Sequence, residues 1–304
     1  AISGGRKRGG GIPGGVFVEI FGPSSAGKTV LLCEIAGAVQ RQGGQVRFDD
    51  PEARLNKTFA QLFDLNTDEI EYDTPDTVTE VFENIRNWKP VNKKVINGTF
   101  TDSLAALSTD IEMDNDEGDK MGMRRAKEFS EGFRKNARII TKNNYIMVCS
   151  NQVRENQDAG KYGAKYKSTG GFAIGFYASL RLRATNPEKI WVEKTVANKK
   201  TKRCIGVETT FEVFKSSIWK PFRSAPVTII FDYGIDDVRA NLQYIKDFTK
   251  NTTYQVGDLK LDTSMEKSIQ MVEEQNLEKK LRREVIDLWE EIEEKFTTER
   301  KPKR

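Results

Sequence analysis

The stretch GPSSAGKT, residues 22–29, decides the fold. It fits GxxxxGK[ST], a loop whose glycines let successive backbone N–H groups curl around phosphate oxygens. Lys28 is spaced to reach β and γ phosphates, and Thr29 to place its hydroxyl on Mg²⁺. Such a loop needs a strand before it and a helix after it. Both are legible: VFVEIF (16–21) is a short apolar run, and VLLCEIAGAVQ from Val30 carries apolar residues at helical spacing. A helix starting near Lys28 aims its positive N-terminus at the bound anion.

Outward from the loop the pattern repeats. QVRFDD (45–50), after a Gly43-Gly44 turn, reads as a second strand, and TFAQLF (58–63) starts a helix. VTEVFENIRNW (78–88) is helical, and KKVINGTFTDSLAAL (93–107) should hold a strand ending near Asp102. An amphipathic helix over 124–143 precedes a buried strand, NYIMVCSNQ (144–152). The order βαβαβαβ predicts an α/β fold, with a mainly parallel twisted sheet and helices on both faces. From Tyr177, SLRLRAT, KIWVEKTV, CIGVETTFEVF and VTIIF alternate or are β-branched, and read as antiparallel strands on one edge. The chain after Asp237 is polar and helical. Its stretch 265–296, rich in i,i+4 charge pairs, reads as a small appended lobe or a coiled-coil helix. The division expected is 1–237 and 238–304.

Composition narrows the chemistry. With 37% apolar and 31% charged residues among 304, no 18-residue apolar run occurs, and no membrane partner is expected. The first residues lack the apolar stretch of a signal peptide, and the chain begins at Ala1, as a piece of a longer protein would. Cys33, Cys149 and Cys204 show no CxxC spacing and read as free thiols in a reducing cytoplasm. There is no histidine, which excludes Ser-His-Asp and Cys-His catalysis and the commonest zinc ligand. A general base must be Asp, Glu or Lys, and a metal must have oxygen ligands. The net charge of +4 does not by itself call for a nucleic acid.

Nucleotide hydrolysis needs a carboxylate on Mg²⁺ at a neighbouring strand end, and a residue to activate water. Asp102 suits the first role, although NGTF is a poor buried strand and Asp102 could also cap a helix over SLAAL. Glu52, in FDDPEARL after the second strand, suits the second role, with Asp49 and Asp50 as rivals on position.

At this point the residues resemble a family, the RecA-type homologous recombinases of bacteria and phages. The matching blocks, in order over about residues 9–237, are GGIPGGVFVEIFGPSSAGKT, FDDPEARL, TDSLAALS, EGDKMGM, SNQVRE, STGGFAIGFYASLRLR and FKSSIWKPF. The resemblance implies a RecA-like P-loop ATPase core with a small C-terminal helical lobe. It implies a helical filament of self-associated subunits on single-stranded DNA, pairing with double-stranded DNA and exchanging strands. ATP and Mg²⁺ are the implied cofactors, and the implied setting is the cytoplasm of a bacterial or phage-infected cell. Gly22, Pro23, Ser24, Ser25, Ala26, Gly27, Lys28 and Thr29 would hold the phosphates, with Asn56 and Phe59 on the adenine. Thr29 and Asp102 would hold the metal. Glu52, Lys28, Gln152 and Lys215 would be catalytic, with Gln152 sensing the γ phosphate and Lys215 reaching a neighbour's ATP. Phe176 would join Lys215 at the subunit interface.

Two DNA loops are implied, over about 111–125 and 153–171. The first offers Met121, Gly122, Arg124 and Arg125. The second offers Arg154, Lys161, Tyr162, Lys165, Tyr166, Lys167, Gly170 and Gly171. The residues support the second independently. Four cations stand against Glu155 and Asp158, interleaved with two tyrosines and four glycines. A flexible basic loop with aromatics suits a phosphate backbone and unstacked bases.

The sequence departs from the family in places. Ser217 stands where a second cross-subunit lysine is usual, with Lys220 displaced from it. Gly175 replaces a basic interface residue, beside the retained Phe176. The N-terminal clasp and the acidic C-terminal tail of the family are unmatched, and the chain ends ERKPKR. These departures suggest a divergent, phage-borne member. A ring helicase, or a filament protein that binds ATP with little hydrolysis, are the competing readings.

Overall fold

The computed structural model describes residue 2 and residues 10–109, 121–155, 166–168 and 171–300; for residues 121–123, 154–155, 166–168 and 171–172 it describes the backbone alone. β1 (Val16–Gly22) leads through the phosphate loop into α1 (Lys28–Arg41). β2 (Val46–Asp49), α2 (Lys57–Gln61), β3 (Ile70–Asp73), α3 (Val78–Asn87) and β4 (Asn97–Thr101) follow. α4 (Met121–Lys142) then leads into β5 (Tyr145–Glu155). β6 (Tyr166–Ser168), α5 (Gly171–Tyr177) and β7 (Leu180–Ala184) come next. β8 (Glu188–Val196), β9 (Lys199–Ser216), β10 (Ser224–Ile230) and β11 (Gly234–Ile235) complete the large sheet. α6 (Asp237–Thr249), the small pair β12 (Gln255–Val256) and β13 (Leu259–Lys260), α7 (Met265–Glu274) and α8 (Glu278–Lys295) end the chain.

The sheet runs β11-β10-β9-β7-β1-β5-β4-β2-β3, with β8 on β9 and β6 on β5. The pairs from β7 through β1, β5, β4 and β2 to β3 are parallel. One expectation is corrected here. SLRLRAT is not antiparallel: β7 lies parallel to β1, because α5 carries the chain back before it. The reversal begins at β9. β3 was not anticipated. IEYD is a half-exposed edge strand that buries too little to show an apolar alternation.

Side-chain alternation along β1 feeds two cores. Val18 and Ile20 pack with Leu32, Cys33 and Ala36 of α1 on one face. Phe17 packs on the other face with Phe82 of α3 and with Phe129 and Phe133 of α4. Phe133 is the hub, with ring centroids 4.4 Å from Phe17 and 4.9 Å from Phe82. Gly132 makes room for this, since a Cβ there would lie 2.1 Å from the Phe82 ring. Burying each such ring contributes about 2–3 kcal/mol.

The poor strand NGTFT is fully buried, and its odd residues have reasons. Asn97 Oδ1 accepts from Gln45 N at 2.8 Å, while Nδ2 donates to Asn92 O at 2.7 Å. Gly98 leaves space for Phe100, whose ring atoms would sit 2.4 Å from an added Cβ. Phe100 in turn stacks on Phe48 of β2 at 6.2 Å.

A third core forms among Val238, Leu242, Ile245, Val256, Val272 and Leu281. The stretch 265–296 is two helices, not one, broken at Asn276 with φ +52°. Leu281 of α8 is buried in that core, which favours the lobe over a coiled-coil helix. α8 docks on the segment after β9: Trp289 meets Trp219 edge-on at 5.4 Å, and Arg223 pairs with both carboxylate oxygens of Glu293 at 2.5 and 2.9 Å.

Candidate functional site

The phosphate loop sits at the C-terminal end of β1, between the ends of β7 and β5. Two of its features need glycine. Gly22 has a Cβ position 2.7 Å from Ala184 O, and Gly27 turns the chain with φ +77° into α1. Lys28 Nζ donates to Gly22 O at 3.2 Å and Pro23 O at 2.7 Å. Burial lowers its pKa below the ordinary lysine value, while Asp102 and Glu52 oppose that shift.

Thr29 Oγ1 donates to Asp102 Oδ2 at 2.6 Å, and Ser150 Oγ donates to the other carboxylate oxygen. Asp102 lies one residue beyond β4, which ends at Thr101. The helix that SLAAL could have formed is absent: residues 104–106 make a turn, so Asp102 caps nothing. Its carboxylate is held by two hydroxyls from two other elements. Ser150 was not singled out in the sequence, because a serine on a buried strand carries no spacing signal.

A cleft of about 270 Å³ joins these groups, lined by Ser24, Ser25, Lys28, Thr29, Glu52, Asp102, Ser150 and Gln152. Glu52 sits on the turn after β2 and pairs at 2.5 Å with Arg54, a largely exposed side chain. Gln152 lies in β5, in register with Gly22 of the loop. The structure thus brings together Lys28, Thr29, Glu52, Asp102 and Gln152. It also separates the three acidic candidates after β2. Asp50 is buried: its Oδ2 accepts from Arg54 N and Leu55 N, both at 2.7 Å, and from Tyr72 OH at 3.0 Å. Asp49 is buried against Arg47 and Asn84. Only Glu52 of the three is not committed to holding backbone or strand.

The other side of the same segment opens on a second cavity of about 390 Å³. Asn56 and Phe59 line it, as do Phe231 and Asp232 from the β10–β11 turn and Gly234 of β11. Asn56 Oδ1 caps α2 by accepting from Phe59 N at 3.1 Å. Phe59 leans edge-on against Phe63 at 5.2 Å, while Phe231 is about half exposed. Phe231 was missed. Its partner wall comes from a turn some 170 residues away, which no local motif signals.

Oxygen donors fit Mg²⁺, which takes one or two carboxylates plus phosphate and water oxygens. Among the described residues no group of three or more His, Cys, Asp or Glu could hold a metal.

Lys215 lies away from this cleft. Its Nζ donates to Gly175 O at 2.8 Å and Phe176 O at 3.0 Å, at the end of α5. Burial lowers its pKa, helped by Arg181 alongside. Arg181 pairs at 2.5 Å with the buried Glu19 and lies over the Phe21 ring at 4.4 Å. Gly175 accommodates it, since a Cβ there would stand 3.1 Å from an Arg181 nitrogen. Phe176 is exposed, as an interface residue needs to be, and so is Ser217.

Of the loop residues, Arg124 is exposed, whereas Arg125 turns inward and donates to Leu104 O at 3.0 Å and Ala105 O at 2.8 Å. Arg125 therefore ties α4 to the turn after Asp102. Met121 and Gly122 open α4. Arg154 and Lys167 stand opposite each other where β6 pairs with β5, as do Glu155 and Tyr166, and Gly171 starts α5. Lys161, Tyr162, Lys165 and Gly170 lie outside the described residues.

Comparison with known proteins agrees with this fold. A sequence profile of the RecA N-terminal domain matches residues 6–236. Protein RecA of Delftia acidovorans is 33% identical over 226 residues, covering 74% of this chain and 59% of that protein. Protein RecA of Deinococcus radiodurans is 31% identical over 284 residues, 91% of this chain and 75% of that protein. Protein RecA of Borreliella burgdorferi is 28% identical over 296 residues, 94% and 79% of the two chains. The chain thus spans less than two thirds of the first relative's length. No described helix is long and apolar enough to cross a membrane.

Proposed function

The chain belongs to the RecA family, and from that premise we propose that it is an ATP-dependent recombinase. It forms a helical filament on single-stranded DNA, pairs that strand with a homologous duplex, and hydrolyses ATP in doing so. One observation carries this reading: Lys28, Thr29, Glu52, Asp102 and Gln152 line one cleft. Gln152 also belongs to the strand that leads into the second loop. The roles divide the chain into a nucleotide-and-DNA core over 1–237 and a helical lobe over 238–304.

The phosphate loop binds the triphosphate through its backbone N–H groups and the Lys28 ammonium, which leaves the Gly22 and Pro23 carbonyls to do so. Phe59 and Phe231 enclose the adenine, where a ring can stack on the base. Thr29 and Asp102 would hold Mg²⁺, which would supply positive charge against the substrate's phosphates. Ser150 fixes the Asp102 carboxylate that Thr29 shares. Glu52 accepts a proton from water as the water oxygen bonds the γ phosphorus. The bond from that phosphorus to the bridging oxygen breaks, leaving ADP and phosphate. Gln152 contacts the γ phosphate and passes its presence along β5 to the loop over 153–171. Arg154, Lys161, Lys165 and Lys167 there contact phosphates, and Tyr162 and Tyr166 stack on bases. Arg124, Met121 and Gly122 contribute from the first loop, with Arg125 as a tie between that loop and Asp102. Lys215, released from α5, reaches the neighbouring subunit's nucleotide beside Phe176. Such work places the protein in the cytoplasm of a bacterial or phage-infected cell.

Ser217 and the engagement of Lys215 on α5 favour one competing reading, a DNA filament that holds ATP with little hydrolysis. Glu52→Gln separates the two. The recombinase reading expects turnover to be lost while DNA filaments persist in negative-stain images. Unchanged turnover in that variant contradicts the assigned base.

A further inference from the structure

Among the described residues that line the nucleotide cleft, two are cations, Lys28 and Arg54. The backbone of Arg54 is fixed, but its side chain is largely free. Arg54 N donates to the buried Asp50 at 2.7 Å, and Ala53 before it turns the chain with φ +50°. The guanidinium is 79% exposed and lies 2.5 Å from Glu52 Oε2. Charge in the cleft is otherwise short on the positive side. Lys28 stands against Glu52 and Asp102, and a triphosphate adds more negative charge. In hydrolysis that charge spreads over the γ phosphoryl oxygens. Lys215, the other cation assigned to a nucleotide, donates to Gly175 O and Phe176 O outside this cleft.

The Glu52–Arg54 pair suits neither of two simpler roles. An ion pair as exposed as this one contributes little to stability. A permanent partner would occupy one basic oxygen of Glu52 and lower the basicity of the other. The pair is therefore a resting contact, and the loaded cleft must draw the guanidinium away. The attacking water has to lie about 3 Å from Glu52 and about 3–3.5 Å from the γ phosphorus. The γ phosphoryl group then sits about 6 Å from the carboxylate that Arg54 already touches. A guanidinium fork matches two phosphoryl oxygens as it matches a carboxylate, and it stays charged at any working pH.

We propose that Arg54 is a further catalytic residue, a cation from the same subunit that leaves Glu52 for the γ phosphoryl oxygens when ATP enters the cleft. One movement has two effects. Glu52 is freed to accept the water proton, and the charge gathering on the phosphoryl oxygens gains N–H donors. No proton leaves Arg54, so the balance of the reaction is unchanged. The water oxygen bonds phosphorus, its proton goes to Glu52, and the bridging oxygen departs with ADP. The proposal rests on the ATP-hydrolysis reading and is independent of the DNA loops.

The test follows steady-state ATP hydrolysis with single-stranded DNA in wild type, Arg54→Ala, Arg54→Lys and Glu52→Gln. Kd values for fluorescent ADP and for a non-hydrolysable ATP analogue, and thermal unfolding midpoints, are measured on the same proteins. Arg54→Ala should lower kcat on the order of 100-fold, the scale for losing one donor to an oxygen that gathers charge. Its Kd for ADP, which lacks the γ phosphate, should change by less than about threefold. Arg54→Lys keeps the charge without the fork and falls between wild type and Arg54→Ala. Guanidinium ion, added far below denaturing concentrations, should restore part of the turnover of Arg54→Ala and none of that of Glu52→Gln. A purely structural role for Arg54 does not produce that rescue. Wild-type turnover with an unchanged kcat in Arg54→Ala overturns this proposal alone. A kcat that rises also overturns it and makes Arg54 a restraint on Glu52. Equal weakening of ADP and ATP-analogue binding overturns it, as does a lowered kcat without rescue and with a lowered unfolding midpoint. A wild-type protein without turnover overturns the hydrolysis reading and this proposal together.

Discussion

Replacing Asp50 by alanine removes the anchor of the turn that carries Glu52. Asp50 is 2% exposed, and its Oδ2 accepts two backbone N–H groups at 2.7 Å and the Tyr72 hydroxyl at 3.0 Å. The Tyr72 phenol, pushed up to about 12 first by burial and then by this bond, remains a donor throughout the working range. Hydrogen bonds to a charged acceptor contribute about 1.5–3 kcal/mol each, and orphaned buried donors cost about 1–3 kcal/mol. Relief of the buried charge offsets part of this, leaving a loss of about 3–5 kcal/mol for Asp50→Ala. Asp50→Asn keeps one acceptor oxygen and costs about 1–2 kcal/mol. The catalytic effect is the sharper readout. A displacement of about 1 Å at a reacting group can cost on the order of 100-fold in rate. Asp50→Asn should therefore lower kcat for ATP hydrolysis by about 10- to 100-fold. Nucleotide Kd should change by less than about threefold, because Lys28 and the phosphate loop are untouched. Urea unfolding, steady-state hydrolysis and fluorescent-nucleotide titration check the three quantities. A folded Asp50→Asn protein with wild-type kcat refutes the reasoning, and so does a Kd that rises in step with the fall in kcat.

Two further perturbations test the packing around the site. Burial, opposed by Arg47 and Asn84, raises the Asp49 carboxyl to about 6. The folded chain then holds this proton to higher pH than the unfolded chain, so the group's contribution to stability falls between about pH 4 and 6, by about 3 kcal/mol for two units. The stability of Asp49→Asn relative to wild type should rise by about that amount from pH 4 to 7.5 in urea titrations; a fall over that range contradicts the assignment. Gly37→Ala in α1 should destabilise by about 2–3 kcal/mol despite the better helix propensity of alanine. Its Cβ would lie 2.1 Å from Phe63 O, a backbone atom that cannot swing aside. A variant as stable as wild type in thermal unfolding would show that the 63–64 turn yields.

The sequence reads well where a rule is local. The apolar run VFVEIF, glycine spacing in the loop and helical period from Val30 appear as read, because each depends on neighbours within a turn or two. That Glu52 and Asp102 would line the cleft was legible because a carboxylate past a parallel strand end faces the crevice. What was lost depends on distant chain. NGTFT looks weak as a strand until Phe100 is seen filling the space beside Gly98. β7 was assigned the wrong direction because strand sequence carries no sign of which way the preceding crossover runs. The break at Asn276 hides inside an unbroken charge pattern, since a single left-handed residue leaves the helical composition on both sides unchanged. Arg125 faces inward because the Leu104 and Ala105 carbonyls lack strand partners, which only the turn after Asp102 makes plain. Phe231 lines the second cavity and Ser150 holds Asp102 from elements whose own sequences signal neither contact.

The central claim is that one cleft couples ATP hydrolysis to DNA held by the loops. It is tested most directly by following ATP turnover and strand exchange in one reaction, with a circular single strand and a homologous linear duplex. The account predicts turnover that rises on adding the single strand and joint molecules that form only with homology. Turnover indifferent to DNA, or strands separated without homologous pairing, would contradict it.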